Sequence, residues 1–318
     1  MTAEPDTVSV GIPAYGPCPH LGRVVDRLLA QTVPPLEIVV VHSGPGDPTA
    51  ALAAKDRRVR VLHRDRRLFA GAARNIAADQ SRGTRLAFID ADVVPVDTWL
   101  ENLLKAVQAR PGSYVVGSVG YAQSGGYWGL ALWTIEFAGV HPYLPSRETQ
   151  AIASCTMLVP AAALARVGGF PSGLAAAEDT VLGAKLRAAG FTPWFQADAR
   201  VDHLNLAGFR HFAAHLYRLG RHSALARRAV PLRGRLAARF WPLAAVLFLS
   251  KFIDTYGRAL RRGHGHRWLF VALAPGVLLG LVIWNAGLIG GLRASIPSID
   301  RDPTAEAMPK AAGDGLAP

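Results

Sequence analysis

Apolar residues fall in short runs over the first two hundred positions and in long runs after that. In the first part, β-branched runs alternate with segments of helical spacing. Residues 8–12 read as a strand, and 21–31 carry apolar side chains at helical intervals. Residues 37–41 and 59–62 read as the next two strands. A helix over 74–81, a strand over 85–90, a helix over 98–109 and a strand over 114–118 follow. This alternation predicts an α/β domain with a mostly parallel sheet. Ligands of such sheets bind beyond the carboxyl ends of the strands.

The later runs have another character. Residues 268–292 form a 25-residue stretch without a charge. As a helix it would reach roughly 37 Å, against a hydrocarbon core of about 30 Å. It is expected to cross a membrane, with Trp268 and Trp284 near the two interfaces. The run over 240–253 contains Lys251; it is short for a span and suits an interfacial helix. Between the runs lie Arg258, Arg261, Arg262 and Arg267. A hairpin of two spans would put them on the outer side, against the positive-inside rule. One crossing is therefore favoured, with 208–262 along the inner surface and the hairpin as the alternative. The expected division is an α/β domain over 1–205, a basic helical juxtamembrane segment over 206–267, a transmembrane helix over 268–292 and a disordered tail over 293–318.

Charge sharpens this division. The formal net charge is +12. Residues 1–205 hold 19 Lys/Arg and 18 Asp/Glu, whereas 206–267 hold 13 Lys/Arg and one acid, Asp254. The excess thus lies in one stretch beside the uncharged run, which predicts contact with an anionic inner leaflet. Nucleic acid is not expected as a partner, because no stacking platform or recognised module accompanies the arginines. Arg218 and Arg221 are candidates for a diphosphate or a lipid phosphate. Two cysteines, Cys18 and Cys155, exclude a disulfide scaffold. Residues 1–6 have no cationic start or apolar run, so no signal peptide is expected, and the α/β domain is assigned to the cytoplasmic side of the membrane.

Candidate chemistry sits at the strand ends. The first strand leads into Pro13-Ala14-Tyr15 with no Gly-rich dinucleotide fingerprint, and no P-loop is present. The fourth ends in Asp90-Ala91-Asp92. Side chains at i and i+2 of an extended segment share a face, so the two carboxylates can converge as hard ligands for Mg²⁺ or Mn²⁺. Such an ion would stabilise a diphosphate leaving group. An isolated Asp-x-Asp is more often a cap or a solvated turn, but this one follows an apolar strand and precedes a helix.

With these motifs the chain resembles family-2 glycosyltransferases of the GT-A fold over about residues 7–205. The resemblance rests on the opening strand with Pro13-Ala14-Tyr15, the second strand and its turn, Gly71 with Arg74-Asn75, Asp90-Ala91-Asp92, Gly168-Gly169-Phe170 and Glu178-Asp179. It implies an inverting transfer of one sugar from a nucleotide-diphosphate donor, with UDP as the default, to an acceptor hydroxyl. By resemblance Pro13, Ala14, Tyr15, His42, Gly71, Arg74, Asn75, Asp90 and Ala91 meet the donor. Asp90, Asp92 and His203 hold the metal. Asp179 is the base, and Glu178 positions the acceptor or tunes its neighbour. The family usually has an Asp where His42 stands, and Asp47 is the next acid. The processive signature Gln-x-x-Arg-Trp is absent after residue 205. Residues 121–157, with Tyr127, Trp128, Trp133 and Glu136, are assigned to the acceptor side, although Trp128, Leu132 and Ile135 also fit a helical core face. A glycan, glycolipid or lipid-linked acceptor is implied, with a polyprenyl-phosphate sugar synthase and a non-catalytic membrane scaffold as alternatives.

Overall fold

The computed structural model describes residues 6–122, 125–204, 208–238, 240–262, 267–296 and 300–302. Strands β1 (Val8–Tyr15), β2 (Glu37–Ser43), β3 (Val59–Arg64) and β4 (Arg85–Ile89) stand where the apolar runs predict strands. Helices α1 (Leu21–Leu29), α2 (Thr49–Ala53) and α3 (Ala70–Asp79) connect them. Then come β5 (Val93–Pro95), α4 (Trp99–Gln108), β6 (Ser113–Tyr121), α5 (Gly126–Glu136), β7 (Arg147–Glu148), β8 (Thr156–Pro160), α6 (Ala161–Arg166), α7 (Glu178–Ala188) and β9 (Thr192–His203).

The nine strands form one sheet in the order β3-β2-β1-β4-β8-β6-β9-β5, with β7 paired to β9. β3, β2, β1 and β4 are parallel, and β6 and β9 run the same way; β8, β5 and β7 run against them. Every residue of β2 is buried, as expected of a strand covered on both faces. The chain lays β2 and β3 on one side of β1, then places β4 on the other. That reversal opens a crevice at the carboxyl ends of β1 and β4. It brings Pro13-Ala14-Tyr15 beside Asp90-Ala91-Asp92.

Helix α3 starts four residues before the predicted helix. Its first turn is small because it lies on a neighbouring loop: a Cβ on Gly71 would stand 2.3 Å from the Pro171 carbonyl oxygen.

A helical layer follows the sheet domain: α8 (Phe209–Ala229), a 3₁₀ turn (Trp241–Leu243), α9 (Ala244–Arg262) and α10 (Arg267–Gly291). The 205/206 boundary falls outside the described residues. α10 runs beside α8 and is held close by small residues. A Cβ on Gly287 would stand 2.1 Å from the Tyr217 carbonyl oxygen, and one on Gly220 would stand 1.9 Å from that of Trp284. Phe270, Leu273, Val277, Leu281 and Leu288 are buried along the inner face of α10, while Val271, Leu278, Leu279, Val282 and Ile289 are exposed on its outer face. Trp268 is 84% exposed, but Trp284 is only 5% exposed, packed inside the protein and not at an interface as expected. Overpacking a close contact costs about 1–3 kcal/mol. Gly287→Leu is thus expected to lower the thermal midpoint by several degrees, read by circular dichroism, with Gly290→Leu, which meets only the end of the Tyr217 side chain, costing less.

Residues 300–302, assigned to a disordered tail, return to the sheet domain. The Ser172 N–H donates to the Asp300 carbonyl at 3.3 Å, and Arg301 pairs with Asp79. The rest of the predicted tail beyond 302 lies outside the described residues.

Candidate active site

Two cavities meet at the strand ends. The first, about 400 Å³, is lined by Pro13, Ala14 and Tyr15 from the end of β1, by Asp90, Ala91 and Asp92 after β4, and by Leu204. The second, about 740 Å³, is lined by Arg74, Glu136, Glu178, Asp179 and His203, with Trp284 of α10 on its far side. Asp90 and Ala70 line both. A ligand lying across this junction would have one part in each cavity.

Arg74 organises the junction. Its side chain is 2% exposed; Nη2 donates to Asp90 at 2.6 Å and Nη1 donates to Glu178 at 2.7 Å. Burial opposes its charge, but the two carboxylates outweigh burial and hold its pKa above the ordinary arginine value. One oxygen of Asp90, Oδ1, is thereby engaged by a guanidinium. Glu178 is engaged likewise. This leaves Asp179 as the carboxylate of the pair without a cation. Among the described residues, the Thr180 N–H, at 2.6 Å, and the Thr180 hydroxyl, at 3.2 Å, donate to it. Burial, together with the neighbouring Glu178 charge, pushes its pKa up to about 7. Ala177, just before the pair, has φ 63°, left-handed backbone that a non-glycine residue adopts at a cost of roughly 1–2 kcal/mol. The turn sets the direction in which α7 presents its first two side chains.

Asp92 lies 3.9 Å from Nε2 of His203. Burial raises its pKa, the His203 contribution lowers it and the Asp90 charge raises it again. The other nitrogen of His203, Nδ1, is buried without a partner. No group of three His, Cys, Asp or Glu side chains converges among the described residues. A carboxylate and an imidazole nevertheless fit an ion that takes its remaining ligands from a diphosphate and water. Asp92 and His203 therefore suit a divalent cation, and the expected third ligand, Asp90, shares its Oδ1 with Arg74.

Four residues expected at the donor, His42, Gly71, Arg74 and Asn75, do not line the first cavity. His42 is 2% exposed, and Nε2 lies 2.9 Å from the Gly16 carbonyl oxygen while Nδ1 lies 3.0 Å from Nδ1 of His63. Donation from Nε2 leaves Nδ1 of a neutral ring to accept from His63. His42 thus ties β1 and β3 to β2 and does not line the first cavity. Asp47 is exposed and accepts from the Thr49 N–H at 2.9 Å. Asn75 donates to the Phe170 carbonyl at 2.9 Å and accepts from the Phe170 N–H at 2.8 Å, fastening α3 to the Gly168-Gly169-Phe170 turn. Gly71 serves the close contact described above. Arg74 lines the second cavity rather than the first.

Sequence reasoning named Glu136 but missed its partner. His215 Nε2 on α8 lies 3.1 Å from the Glu136 carboxylate, and Arg218 donates to His215 Nδ1 at 2.9 Å. Burial would raise the Glu136 pKa, but His215 outweighs it, helped by His203 and Arg218, so the carboxyl stays below its usual range. The signal was present in the spacing of His211, His215 and Arg218 on one helical face.

Comparison with known proteins agrees with this geometry. Residues 9–163 match the family described as Glycosyl transferase family 2. Glycosyltransferase GlyG of Streptococcus pneumoniae serotype 4 is 29% identical over 117 residues, covering 36% of this chain and 39% of that protein. Glycosyltransferase AglE of Haloferax volcanii is 30% identical over 132 residues, covering 40% and 43%. These alignments span less than half of either relative. The mannosyltransferase PcManGT from Pyrobaculum calidifontis, solved with GDP-Man and Mn²⁺, superposes with a TM-score of 0.60 at 18% identity, over 92% of this chain and 88% of that one. TarS from S. aureus superposes with a TM-score of 0.53 at 16% identity, over 90% and 89%. The sheet domain has the GT-A fold. Over residues 9–163 the chain is similar to family-2 glycosyltransferases.

Proposed function

We propose that the protein is an inverting glycosyltransferase, moving one sugar from a nucleoside-diphosphate donor to an acceptor hydroxyl. The observation that carries this reading is the junction of the two cavities at Asp90. The donor's diphosphate end would lie against the β1 and β4 ends, and the acceptor would enter the second cavity. Asp179, free of a cation, takes the acceptor proton as the hydroxyl oxygen bonds to the anomeric carbon. The bond from that carbon to the diphosphate breaks on the opposite face, which inverts the centre. Glu178, fixed by Arg74, lies next to Asp179, and its charge favours proton uptake there. A divalent cation held by Asp92 and His203 would neutralise the departing diphosphate. GDP-Man and UDP, bound in the structural neighbours, are compatible with a GDP- or UDP-sugar donor, and a UDP-sugar is retained as the default.

The reading includes a membrane anchor. α10 is the described helix apolar enough to span, with a hydropathy of 2.1. Its inner face is docked on α8, and 300–302 are back at the sheet domain. We therefore take α9 and α10 to meet the bilayer through their outer faces, where Val246, Leu249 and Ile253 of α9 join the exposed residues of α10. The arginine-rich stretch assigns this contact to an anionic cytoplasmic leaflet.

The test is metal-dependent donor binding. Calorimetry with Mn²⁺ and a panel of UDP- and GDP-sugars is expected to find one that binds, and Asp92→Ala is expected to weaken it at least tenfold. No metal-dependent binding of any nucleotide sugar would instead favour a non-catalytic scaffold.

A further inference from the structure

The second cavity is lined by both acids and cations. Its acids, Asp90, Glu136, Glu178 and Asp179, come from the sheet domain and α7. Cations line it from the helical layer: Arg218 and Arg227 of α8, Arg233 of the following turn and Lys251 of α9. All four belong to the stretch that composition assigned to a membrane surface. They face a cavity that also holds the catalytic pair.

Arg227 is the informative member. Its Nε donates to the Arg233 carbonyl at 3.1 Å, and Nη1 donates to the Ser223 carbonyl at 3.1 Å and contacts the Ser223 hydroxyl. Every one of these partners is neutral, and Nη2 has none among the described residues. No carboxylate lies within ion-pair distance of it among them. Burial lowers its pKa, and no acidic neighbour offsets that effect. A partly desolvated guanidinium without a counter-charge, anchored by neutral oxygens, is complementary to a ligand anion. Arg233 and Arg218, exposed and lining the same cavity, have no ion-pair partner among the described residues either. Several cations around one cavity fit a phosphate ester better than a single carboxylate, because the phosphate carries more charge and more acceptor oxygens.

We propose that the acceptor carries a phosphate ester remote from the attacked hydroxyl, and that Arg227, with Arg233 and Lys251, binds that phosphate in the second cavity. This rests on the glycosyltransferase reading for the word acceptor, but the anion site stands on its own contacts. Phosphate on a soluble sugar and phosphate on a lipid share this chemistry. The apolar outer faces of α9 and α10 would bring a lipid phosphate to the same cavity.

The full chain in detergent can be saturated with UDP or GDP to block the first cavity. It is then titrated with glucose, with glucose 6-phosphate and with a short-chain alkyl phosphate. Tryptophan fluorescence is the readout, because Trp284 lines this cavity beside Lys251, whose Nζ lies 4.8 Å from the ring centroid. Trp284→Phe identifies the cavity's share of the signal. A phosphate ester is expected to bind at least tenfold tighter than glucose, Arg227→Gln to erase that preference and Arg227→Lys to retain most of it. Arg233→Gln, on an exposed turn, is expected to weaken the preference without a folding defect. Tighter binding of the alkyl phosphate assigns the site to lipid, and tighter binding of glucose 6-phosphate to a soluble sugar phosphate. Equal binding of glucose and both phosphates, or a preference that survives Arg227→Gln and Arg233→Gln together, overturns the proposal. Phosphate preference in a protein that binds no nucleotide would keep this site and remove the glycosyltransferase reading; nucleotide binding without phosphate preference would do the reverse.

Discussion

Asp179→Asn is expected to lower sugar transfer by about 10²–10⁴-fold, the range that a positioned general base contributes. The amide keeps the shape of the side chain but cannot accept the acceptor's proton. The pH profile gives the more specific prediction. With its pKa pushed up to about 7, Asp179 is mostly protonated at pH 6 and mostly ionised at pH 8. kcat/KM should rise about tenfold per pH unit below 7 and level off above it. The residual rate of Asp179→Asn should lack that limb. A wild-type profile flat from pH 5 to 8 would remove Asp179 from the role of base.

The same shift has a consequence for stability. A carboxyl whose folded pKa lies above its unfolded value binds its proton more tightly in the native state. Its unfavourable contribution is absent below the unfolded value near 4, grows as pH rises towards 7 and is constant above that. Asp179→Asn should therefore be more stable than the wild type at pH 8, by on the order of 2–4 kcal/mol, and the gap should close towards pH 4. Denaturant midpoints at several pH values would measure it. Loss of activity together with a gain in stability separates a removed base from a damaged fold.

The sequence made the parallel half of the sheet legible because β1, β2, β3 and β4 are apolar runs between turn residues. β9 was hidden. Its twelve residues mix Asp, Arg and Gln with apolar positions, and its register with β6 shifts between Gly117 and Ser118, which breaks the alternation. The motif residues were found, but their partners were not. A pattern such as Arg74-Asn75 marks a position without saying what it faces, and here Arg74 faces Asp90 and Glu178, 16 and 104 residues away. The resemblance carried His42 to the donor, where the structure has a buried ring satisfied by Gly16 and His63. The basic stretch was read from composition as a surface. Only the packing of α8 against α5 and α10 turns part of it into a cavity wall, and no local pattern records that packing.

Arg74→Met should be the most destabilising single change in the sheet domain. Methionine keeps much of the volume but leaves the Asp90 and Glu178 carboxylates without the cation that lies between them. Removing one partner of a buried ion pair costs about 3–5 kcal/mol, because the remaining charge stays desolvated. Arg74→Lys should recover only part of this. A single ammonium cannot reproduce a fork that places one nitrogen 2.6 Å from Asp90 and another 2.7 Å from Glu178. The charge also acts on the base, since Arg74 lowers the Asp179 pKa while burial and Glu178 raise it. Without Arg74 the ascending limb of kcat/KM should move to higher pH, and Arg74→Lys should lie between the wild type and Arg74→Met. A merely structural arginine would change the unfolding midpoint and leave that limb near pH 7. Measured on the folded fraction, the position of the limb therefore decides whether Arg74 also tunes the base.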